Sequence, residues 1–313
     1  MLLTLSVLIA LIIDFLVGEP RRWHPLVGFG NIANWLENKL NKFSNKQQFL
    51  SYLSGLLAWS LMTLPIVFLL CLLELKLQQT SAPRLFEMVI GVVCLSFALG
   101  VKSLMQHARA VGDALKNSDV KLARQRIALI VSRDTSNSDE KAINRATIES
   151  VLENGSDAIF AAIFWFIVLG APGVVLYRLA NTLDAMWGYR TERFNYFGWA
   201  AARIDDALNW IPARLTALSY ALAGNTKSAW SCWQKQAKHW HGINPGVVMA
   251  SGAGALNISL GGAATYHNKI VERPELGCND APQTSDIERA VQLVNKSIII
   301  WIVFIAMGSY LLV

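Results

Sequence analysis

Residues 159–177 read IFAAIFWFIVLGAPGVVLY, and this apolar run decides the fold class. A transmembrane helix needs about 17–25 mostly apolar residues, so the run is long enough to cross a bilayer. The sequence GAPG at residues 170–173 divides it, however, because proline and glycine interrupt helices. Pieces this short suit a buried or re-entrant helical hairpin better than a single span. We therefore expect the chain to enter the membrane here and to return to the same side.

The composition of the whole chain favours a membrane protein. Of its 313 residues, 53% are hydrophobic and 16% are charged, whereas soluble domains carry about 25% charged residues. The 28 lysines and arginines exceed the 22 acidic residues, which in a membrane protein indicates loops beside anionic lipid. Because no basic low-complexity tail is present, we predict no nucleic-acid partner. The four cysteines form no Cys-x-x-Cys pair, which argues against a disulfide framework or a zinc site.

Four further apolar segments predict transmembrane helices, at residues 1–17, 53–73, 85–101 and 298–313. Lysine and arginine concentrate between these segments, and the positive-inside rule places two regions in the cytoplasm, residues 18–52 and 102–296. The predicted fold is therefore all-α, a polytopic helical membrane protein with about four spans, re-entrant helices and a large cytoplasmic helical region. Its predicted parts are N-terminal membrane helices (1–101), a cytoplasmic and re-entrant catalytic region (102–296) and a C-terminal membrane helix (297–313).

A stripe of acidic residues precedes the apolar run. The polar turn at residues 132–139 predicts a helix capped by Ser138. On that helix four charged residues follow one another at a spacing of four and share one face: Arg145, Glu149, Glu153 and Asp157. Like charges at this spacing destabilise a helix, so we expect Arg133, Arg145 or a bound metal to compensate them. A solvated helix face is the alternative, but acids beside a membrane are costly unless paired or functional.

A second polar pattern follows the run, in NTLDAMWGYR at residues 181–190. If this segment is helical, Asn181, Asp184 and Gly188 lie near one face, and Arg190 follows them.

The next segment predicts a helix from Trp199, on which Arg203 lies three residues before Asp206 and Asp205 lies four before Asn209. One interpretation is an ion-paired helix end. The other is a polyanion site, in which guanidinium groups bind phosphate and carboxylates bind Mg²⁺.

The sequence also lacks several signatures. It contains no Gly-x-x-x-x-Gly-Lys-Ser/Thr loop, so a P-loop nucleotide site is excluded. His239 and His241 are two residues apart and would not share a helix face, and no serine or cysteine nucleophile motif is present. The residues alone therefore indicate a helical membrane protein with a cytoplasmic polyanion or Mg²⁺ site.

At these residues the chain resembles the adenosylcobinamide-phosphate synthase (cobyric acid aminopropanol-amidating) family, integral membrane proteins of cobalamin biosynthesis. The resemblance covers nearly the whole chain, and its ordered stretches are far more specific than a short motif. They include SRDTSNSDE (132–140), RATIESVLENGSD (145–157), GAGAL (252–256) and LGG (260–262). The longest are DFLVGEPRRWHPLVGFG (14–30) and APGVVLYRLANTLDAMWGYRTERFNYFGWAAARIDDALNWIPARLTAL (171–218).

The resemblance implies an ATP- and Mg²⁺-dependent ligation that joins adenosylcobyric acid to aminopropanol or its O-phosphate, with the corrinoid as substrate. It also implies the bacterial plasma (inner) membrane, with the active region facing the cytoplasm. It is also compatible with a homo-oligomer and with association with other cobalamin-assembly enzymes. The candidate catalytic residues are Asp184, Arg190, Glu149, Glu153 and Asp205. The candidate substrate- and phosphate-binding residues are Arg133, Asn181, Arg193, Arg203 and Asn154. The candidate metal ligands are Asp134, Asp157 and Asp206.

The sequence departs from the family's pattern at Ala158, Ala162, Val247 and Val248, where residues that shape the site change and the polar groups remain. A divergent paralogue with another amine or acid therefore stays an alternative. A non-catalytic membrane scaffold or corrinoid carrier is the alternative from another functional class. A transporter is disfavoured, because the charges gather in the connecting region and not within the strong spans.

Overall fold

A computed structural model of the chain describes residues 2–18, 25–43, 47–79, 83–266 and 269–311. The helices are α1 Leu2–Val17, α2 Pro25–Leu40, α3 Gln48–Leu77, α4 Pro83–Ala98, α5 Val101–Lys116, α6 Val120–Ile127, α7 Glu140–Gly155, α8 Ala161–Trp187, α9 Trp199–Ala223, α10 Thr226–Gln236, α11 Pro245–Leu256 and α12 Thr284–Leu311. A π-helix, Ser156–Phe160, joins α7 to α8, and a 3-10 turn, Ala237–His239, follows α10. The predicted all-α class is confirmed. Residues 19–24, within the matching stretch 14–30, lie outside the described residues.

Four short strands, not expected from the sequence, form an insertion between α11 and α12. They are β1 Ser259–Gly261, β2 Ala264–Tyr266, β3 Lys269–Val271 and β4 Glu275–Gly277. β1 pairs with β4 and β2 pairs with β3, both antiparallel. The inner pair, β2 and β3, thus lies between the two strands of the outer pair along the chain. Each strand has three residues, which is too short for an alternating pattern to be recognised.

Four helical segments of the described chain are long and apolar enough to cross a membrane, at Gln48–Leu77, Arg84–Lys116, Glu140–Trp187 and Thr284–Leu311. Three of them contain predicted spans. The fourth predicted span, residues 1–17, is too short by this measure, because α1 ends before Gly18, where φ is 71°. Its 16 residues extend about 24 Å, less than the roughly 30 Å of a hydrocarbon core. Large apolar side chains of α3 are exposed, as expected of a helix that faces lipid.

The apolar run of α8 is broken at Gly170, as its GAPG sequence predicted. Gly170 has a φ of 64° and a ψ of −149°, which are not helical values. A Cβ on Gly173 would lie 2.5 Å from the carbonyl oxygen of Trp165, although a straight helix separates such positions by about 12 Å. The two halves of α8 therefore fold back on one another. The backbone N–H of Ala171, the first residue after the break, hydrogen-bonds to the Glu74 carboxylate of α3, which caps the second half.

The described chain divides into two compact units. The first unit comprises Leu2–Leu99 and Ala161–Asn209, and the second comprises Gly100–Phe160 and the residues from Trp210 onward. In the first unit, α2, α3, the second half of α8 and the start of α9 enclose an apolar core that includes Trp59, Leu183, Trp187 and Phe197. The polar residues of α8 and α9 lie beside this core, so its packing fixes their positions.

Helix α7 is the central helix of the second unit. It packs against α5, α6, α11 and α12, and its residues from Ala146 to Leu152 are buried without interruption. The helix begins at Glu140, and its N-cap is Asp139, whose Oδ1 accepts the Ala142 N–H at 2.8 Å. The prediction that Ser138 caps this helix is therefore wrong by one residue. Charged residues on such a helix must find partners inside the protein.

Gly173→Ala should destabilise the hairpin of α8, because the added methyl group would collide with the Trp165 carbonyl and with Leu169. Overpacking of this kind costs about 1–3 kcal/mol, so the midpoint of thermal unfolding in detergent should fall. Gly308→Ala is the matched control in α12, since a Cβ there meets nothing within 4 Å. Equal midpoints for the two variants would contradict the fold-back of α8.

Candidate functional site

The carboxylate of Glu149, on α7, lies at the centre of a cluster of arginines in the second unit. Its side chain is only 2% exposed. Arg133 donates to Oε2, Arg273 donates to both oxygens at 3.1 Å, and the Gly261 N–H donates to Oε1 at 2.8 Å. A buried carboxylate is stable only when it is paired and hydrogen-bonded in this way. The predicted compensation of the acidic stripe is therefore present, with Arg133 as one of its two cations.

Arg145 does not compensate the stripe, contrary to one of the predicted alternatives. Its Nη1 donates to the Gly261 carbonyl oxygen at 2.8 Å, and its Nε is buried without a hydrogen-bond partner among the described residues. Gly262 has a φ of 70°, and a Cβ there would lie 2.8 Å from Arg145 Nη1. The two glycines of LGG thus allow the backbone to approach the guanidinium groups closely.

A cleft of about 400 Å³ opens beside Arg133 and Arg145. Two more of its walls come from the turn before α7 and from the strand insertion. Its lining residues are Arg133, Asp134, Asn137, Ser138, Asp139, Ala142, Arg145, Ala263, Ala264 and Thr265. Guanidinium groups and the positive end of a helix attract phosphate, so the cleft has the chemistry of a polyphosphate site.

Asp134, a candidate metal ligand, lies in this cleft. Hydrogen bonds from the Ser136 hydroxyl and from the Ser136 N–H lower the pKa of its carboxyl group, so it stays ionised at neutral pH. Within the described ranges, however, no group of three or more His, Cys, Asp or Glu side chains is arranged to hold a metal. Mg²⁺ is commonly held by one or two carboxylates together with substrate phosphates, and Asp134 fits that arrangement.

The other acidic and amide residues of the stripe have different surroundings. Glu153 lies one turn after Glu149 and is half-buried near the same arginines. Asn154 donates to the carbonyl and hydroxyl oxygens of Ser150, at 3.0 and 2.9 Å. Asp157 lies in the π-helix that follows α7.

A second polar cluster surrounds Asp205 in the first unit. Asp205 is 9% exposed and accepts hydrogen bonds from the side-chain amides of Asn181, at 3.3 Å, and Asn209, at 3.0 Å. The buried Tyr177 hydroxyl donates to Asn209 Oδ1 at 3.0 Å, which fixes the orientation of that amide. The predicted pairing of Asp205 with Asn209 on a helix from Trp199 is thus present.

No cation donates directly to Asp205 in the described residues, and its pKa reflects this. Burial raises the pKa of Asp205 to about 6, hydrogen bonds from Asn209 and Asn181 oppose the rise, and the charge of Asp206 adds to it. A carboxyl group with a pKa close to neutral can accept and release a proton under physiological conditions. Asp205 is therefore suited to act as a proton acceptor.

The remaining charged residues of this segment are more exposed. Asp206 forms an ion pair with Arg203 at 3.5 Å, as one predicted alternative held. Burial raises the pKa of Asp206, whereas Arg203 and Arg190 lower it. Asp184 lies against Gly188, where a Cβ would collide with its Oδ1, so these two residues share a face as predicted.

Arg193 is 59% exposed, but its guanidinium group is bound to side chains of α2. It donates to both oxygens of the buried Glu37 on α2, at 3.0 and 2.5 Å, and to Asn38 Oδ1 at 3.1 Å. Asn41 adds hydrogen bonds to Glu37 and to the Arg193 carbonyl. Arg193 therefore holds the loop after α8 against α2, and its assignment to phosphate binding receives no support from these contacts.

Arg273 is the residue of the site that the sequence analysis missed. It follows β3, more than a hundred residues after Glu149, and lies outside the stretches that carry the family resemblance. The sequence signal for it was the stripe of three acidic residues, Glu149, Glu153 and Asp157. These carboxylates need more positive charge nearby than the two arginines Arg133 and Arg145 provide.

Comparisons with known proteins identify related chains. The CobD/Cbib protein family matches residues 7–294. Cobalamin biosynthesis protein CobD of Stutzerimonas stutzeri is 53% identical over 307 residues, which is 98% of each chain. The protein of that name from Chromobacterium violaceum is 52% identical over 295 residues, 94% of this chain and 92% of the relative. That of Mycobacterium tuberculosis is 35% identical over 293 residues, 92% and 90% of the two chains. No solved structure matches the chain significantly.

Glu149→Gln should destabilise the protein strongly, because it leaves Arg133 and Arg273 buried together without a carboxylate. Breaking a buried ion pair costs about 3–5 kcal/mol. Glu288→Gln is the control, since its partner Arg109 is 48% exposed and such a pair contributes less than about 1 kcal/mol. Thermal unfolding in detergent should separate the two variants clearly, and similar midpoints would contradict the central role of Glu149.

The stability of the wild type should fall as the pH rises from about 4 towards 6, and Asp205→Asn should make this fall less steep. Because the folded pKa of Asp205, about 6, lies above its ordinary value of 3.8, the folded state binds the proton more tightly. The favourable contribution is complete below pH 4 and declines by roughly 1 kcal/mol per pH unit until about pH 6. Unfolding of both proteins between pH 4 and 8 tests this, and parallel curves would refute it.

Proposed function

This chain belongs to the CobD/Cbib family of cobalamin biosynthesis, and we propose that it is an ATP-dependent ligase that amidates a corrinoid carboxylate. The acid is adenosylcobyric acid and the amine is aminopropanol or its O-phosphate. The product is adenosylcobinamide or its phosphate. The protein acts in the bacterial inner membrane, with the cleft of the second unit facing the cytoplasm, where ATP is available.

The observation that carries this proposal is the cleft beside Arg133 and Arg145. Two guanidinium groups border it, one of them with a buried Nε that has no partner among the described residues. The cleft also contains the ionised carboxylate of Asp134. A site for a nucleoside triphosphate needs both kinds of group, because cations bind the phosphates and a carboxylate helps to hold the accompanying Mg²⁺. A bound Mg²⁺ would neutralise charge on the phosphoryl group during its transfer.

The proposed reaction has two steps. First, an oxygen of the corrinoid carboxylate attacks the γ-phosphorus of ATP, and ADP leaves with formation of an acyl phosphate. Arg133 and Arg145 stabilise the charge that spreads over the phosphoryl oxygens. Second, the amine nitrogen attacks the acyl carbon, inorganic phosphate leaves as the C–O bond breaks, and the nitrogen loses one proton.

In the first unit, the surroundings of Asp205 suit it to accept a proton. Its pKa of about 6 allows the ionised form to predominate at neutral pH and to take up a proton readily. Asn181 and Asn209 fix the orientation of its carboxylate through one hydrogen bond each. In the first unit, Arg190, Arg203 and Asp184 are exposed or half-buried on the same segments as Asp205, and we expect them to contact substrate.

The test is an assay of the purified full-length protein in detergent with adenosylcobyric acid, ATP, Mg²⁺ and either amine. We expect an amide product and one ADP for each amide formed. Arg133→Met should raise the KM for ATP by about tenfold, because it removes a charge-assisted contact. Asp205→Asn should lower kcat by about a hundredfold, and the wild-type kcat should rise as the pH passes through 6.

Arg109→Met provides the control, because its exposed ion pair with Glu288 lies outside the cleft lining. It should leave both constants unchanged. Absence of any amide product with either amine would overturn the ligase proposal. Corrinoid binding that persists without product, and that is indifferent to Asp184→Ala and Arg190→Ala, would indicate a carrier or scaffold.

A further inference from the structure

Arg273 makes all of its described contacts with the protein itself. Its Nε donates to the Gly262 carbonyl at 3.0 Å, and its two terminal nitrogens donate to the two oxygens of Glu149. The guanidinium group stacks on the Trp240 ring, 5.2 Å from the centroid. Its side chain is 6% exposed and does not line the cleft. Arg273 is therefore fully engaged and has no direct route to a ligand.

Arg133 differs from Arg273 in the same cluster. It donates to Glu149 through one terminal nitrogen only, and it makes no other hydrogen bond to the residues that the structure describes. Its side chain is 13% exposed and borders the cleft. Arg133 therefore keeps hydrogen-bond donors that can turn towards a ligand in the cleft.

The difference between the two arginines has an electrostatic cause. Two guanidinium groups share one carboxylate, so the set of Arg133, Arg273 and Glu149 carries one excess positive charge. The other charged residues around this set, Arg145, Glu153, Asp134 and Asp139, are the same in every variant compared below. Arg273 engages both oxygens of Glu149 with two parallel hydrogen bonds, whereas Arg133 engages only one oxygen, so part of the positive charge of Arg133 stays uncompensated.

From this arrangement we infer that Arg273 is the positioning residue of the polyphosphate cleft: it neutralises Glu149, which leaves Arg133 to bind phosphate. The inference rests on the proposed function of the cleft and names the residue that makes it cationic. Without Arg273, Glu149 would take Arg133 as its sole guanidinium partner, and both the charge and the donors of Arg133 would turn away from the cleft.

A purely structural role for Arg273 is the competing explanation. Its hydrogen bonds to the Gly262 and Gly261 carbonyls also hold the strand insertion in place. The two explanations differ in the effect of removing Glu149 together with Arg273. If Arg273 acts through Glu149, loss of the carboxylate releases Arg133 again. If it acts only by holding the strands, loss of the carboxylate restores nothing.

The experiment compares the wild type, Arg273→Met, the double variant Arg273→Met/Glu149→Gln and the control Arg109→Met, all as full-length protein in detergent at one ionic strength. Calorimetric titration with inorganic tripolyphosphate measures binding, and circular dichroism checks the fold. We expect Arg273→Met to weaken binding by about tenfold or more. The dissociation constant of the double variant should lie within about threefold of the wild-type value, and that of Arg109→Met should equal the wild-type value.

Several results would overturn the inference: no binding of tripolyphosphate to the wild type, unchanged binding by Arg273→Met, or a double variant no better than the single one. If Arg273→Met does not fold, the double variant decides alone, because it removes both members of the buried pair. Its dissociation constant for tripolyphosphate must then lie within about threefold of the wild-type value.

The inference and the ligase proposal fail separately. Tripolyphosphate binding is measured without corrinoid or amine. A wild type that binds it but forms no amide would therefore overturn the ligase only. Amide formation by a wild type whose phosphate binding is insensitive to Arg273→Met would overturn the inference only.

Discussion

The second unit depends on the need to satisfy one buried carboxylate. Glu149 lies on a helix that is enclosed on nearly every side, so water cannot solvate it. Its partners come from the turn before α7, from β1 and from the residues after β3. An unpaired carboxylate in this position would cost several kcal/mol, so these distant segments must come together when the unit folds. The same contacts place Arg133 and Arg145 along the cleft.

Asp205 shows how a different environment gives a carboxylate a different property. Arginines surround Glu149, whereas the donors to Asp205 among the described residues are neutral amides. Burial without a cation favours the protonated form, which is why the pKa of Asp205 lies near neutral. One carboxylate is thus suited to hold cations in place, and the other is suited to exchange a proton.

Much of the fold follows from local sequence. Hydropathy located α3, α4 and α12, the GAPG sequence located the break in α8, and the spacing of Asp205 and Asn209 predicted their contact. These features depend on residues within one or two helical turns, where geometry is fixed. Hydropathy also located α1, whose end at Val17 agrees with the predicted bound, although its 16 residues are fewer than most transmembrane helices have.

The rest of the site could not be derived in this way. Arg273 and Glu149 are far apart in sequence. The guanidinium group of Arg273 contacts the carboxylate because the strand insertion, whose strands have only three residues each, positions it there. The π-helix that contains Asp157 was also not predicted, because nothing in the spacing of the acids indicates an extra residue in the turn. The ion pair of Arg193 with Glu37, which lies on another helix, was likewise not predicted.

The break at Gly170 has a consequence for the polar cluster of the first unit. After that residue the backbone runs as a regular helix to Trp187, so each position is rotated by about 100° from the one before it. Asn181 faces Asp205 only because the number of residues between the break and Asn181 has the right value. The break thus fixes where this helix starts. One residue inserted after it would rotate the Asn181 amide by about 100°, away from the Asp205 carboxylate.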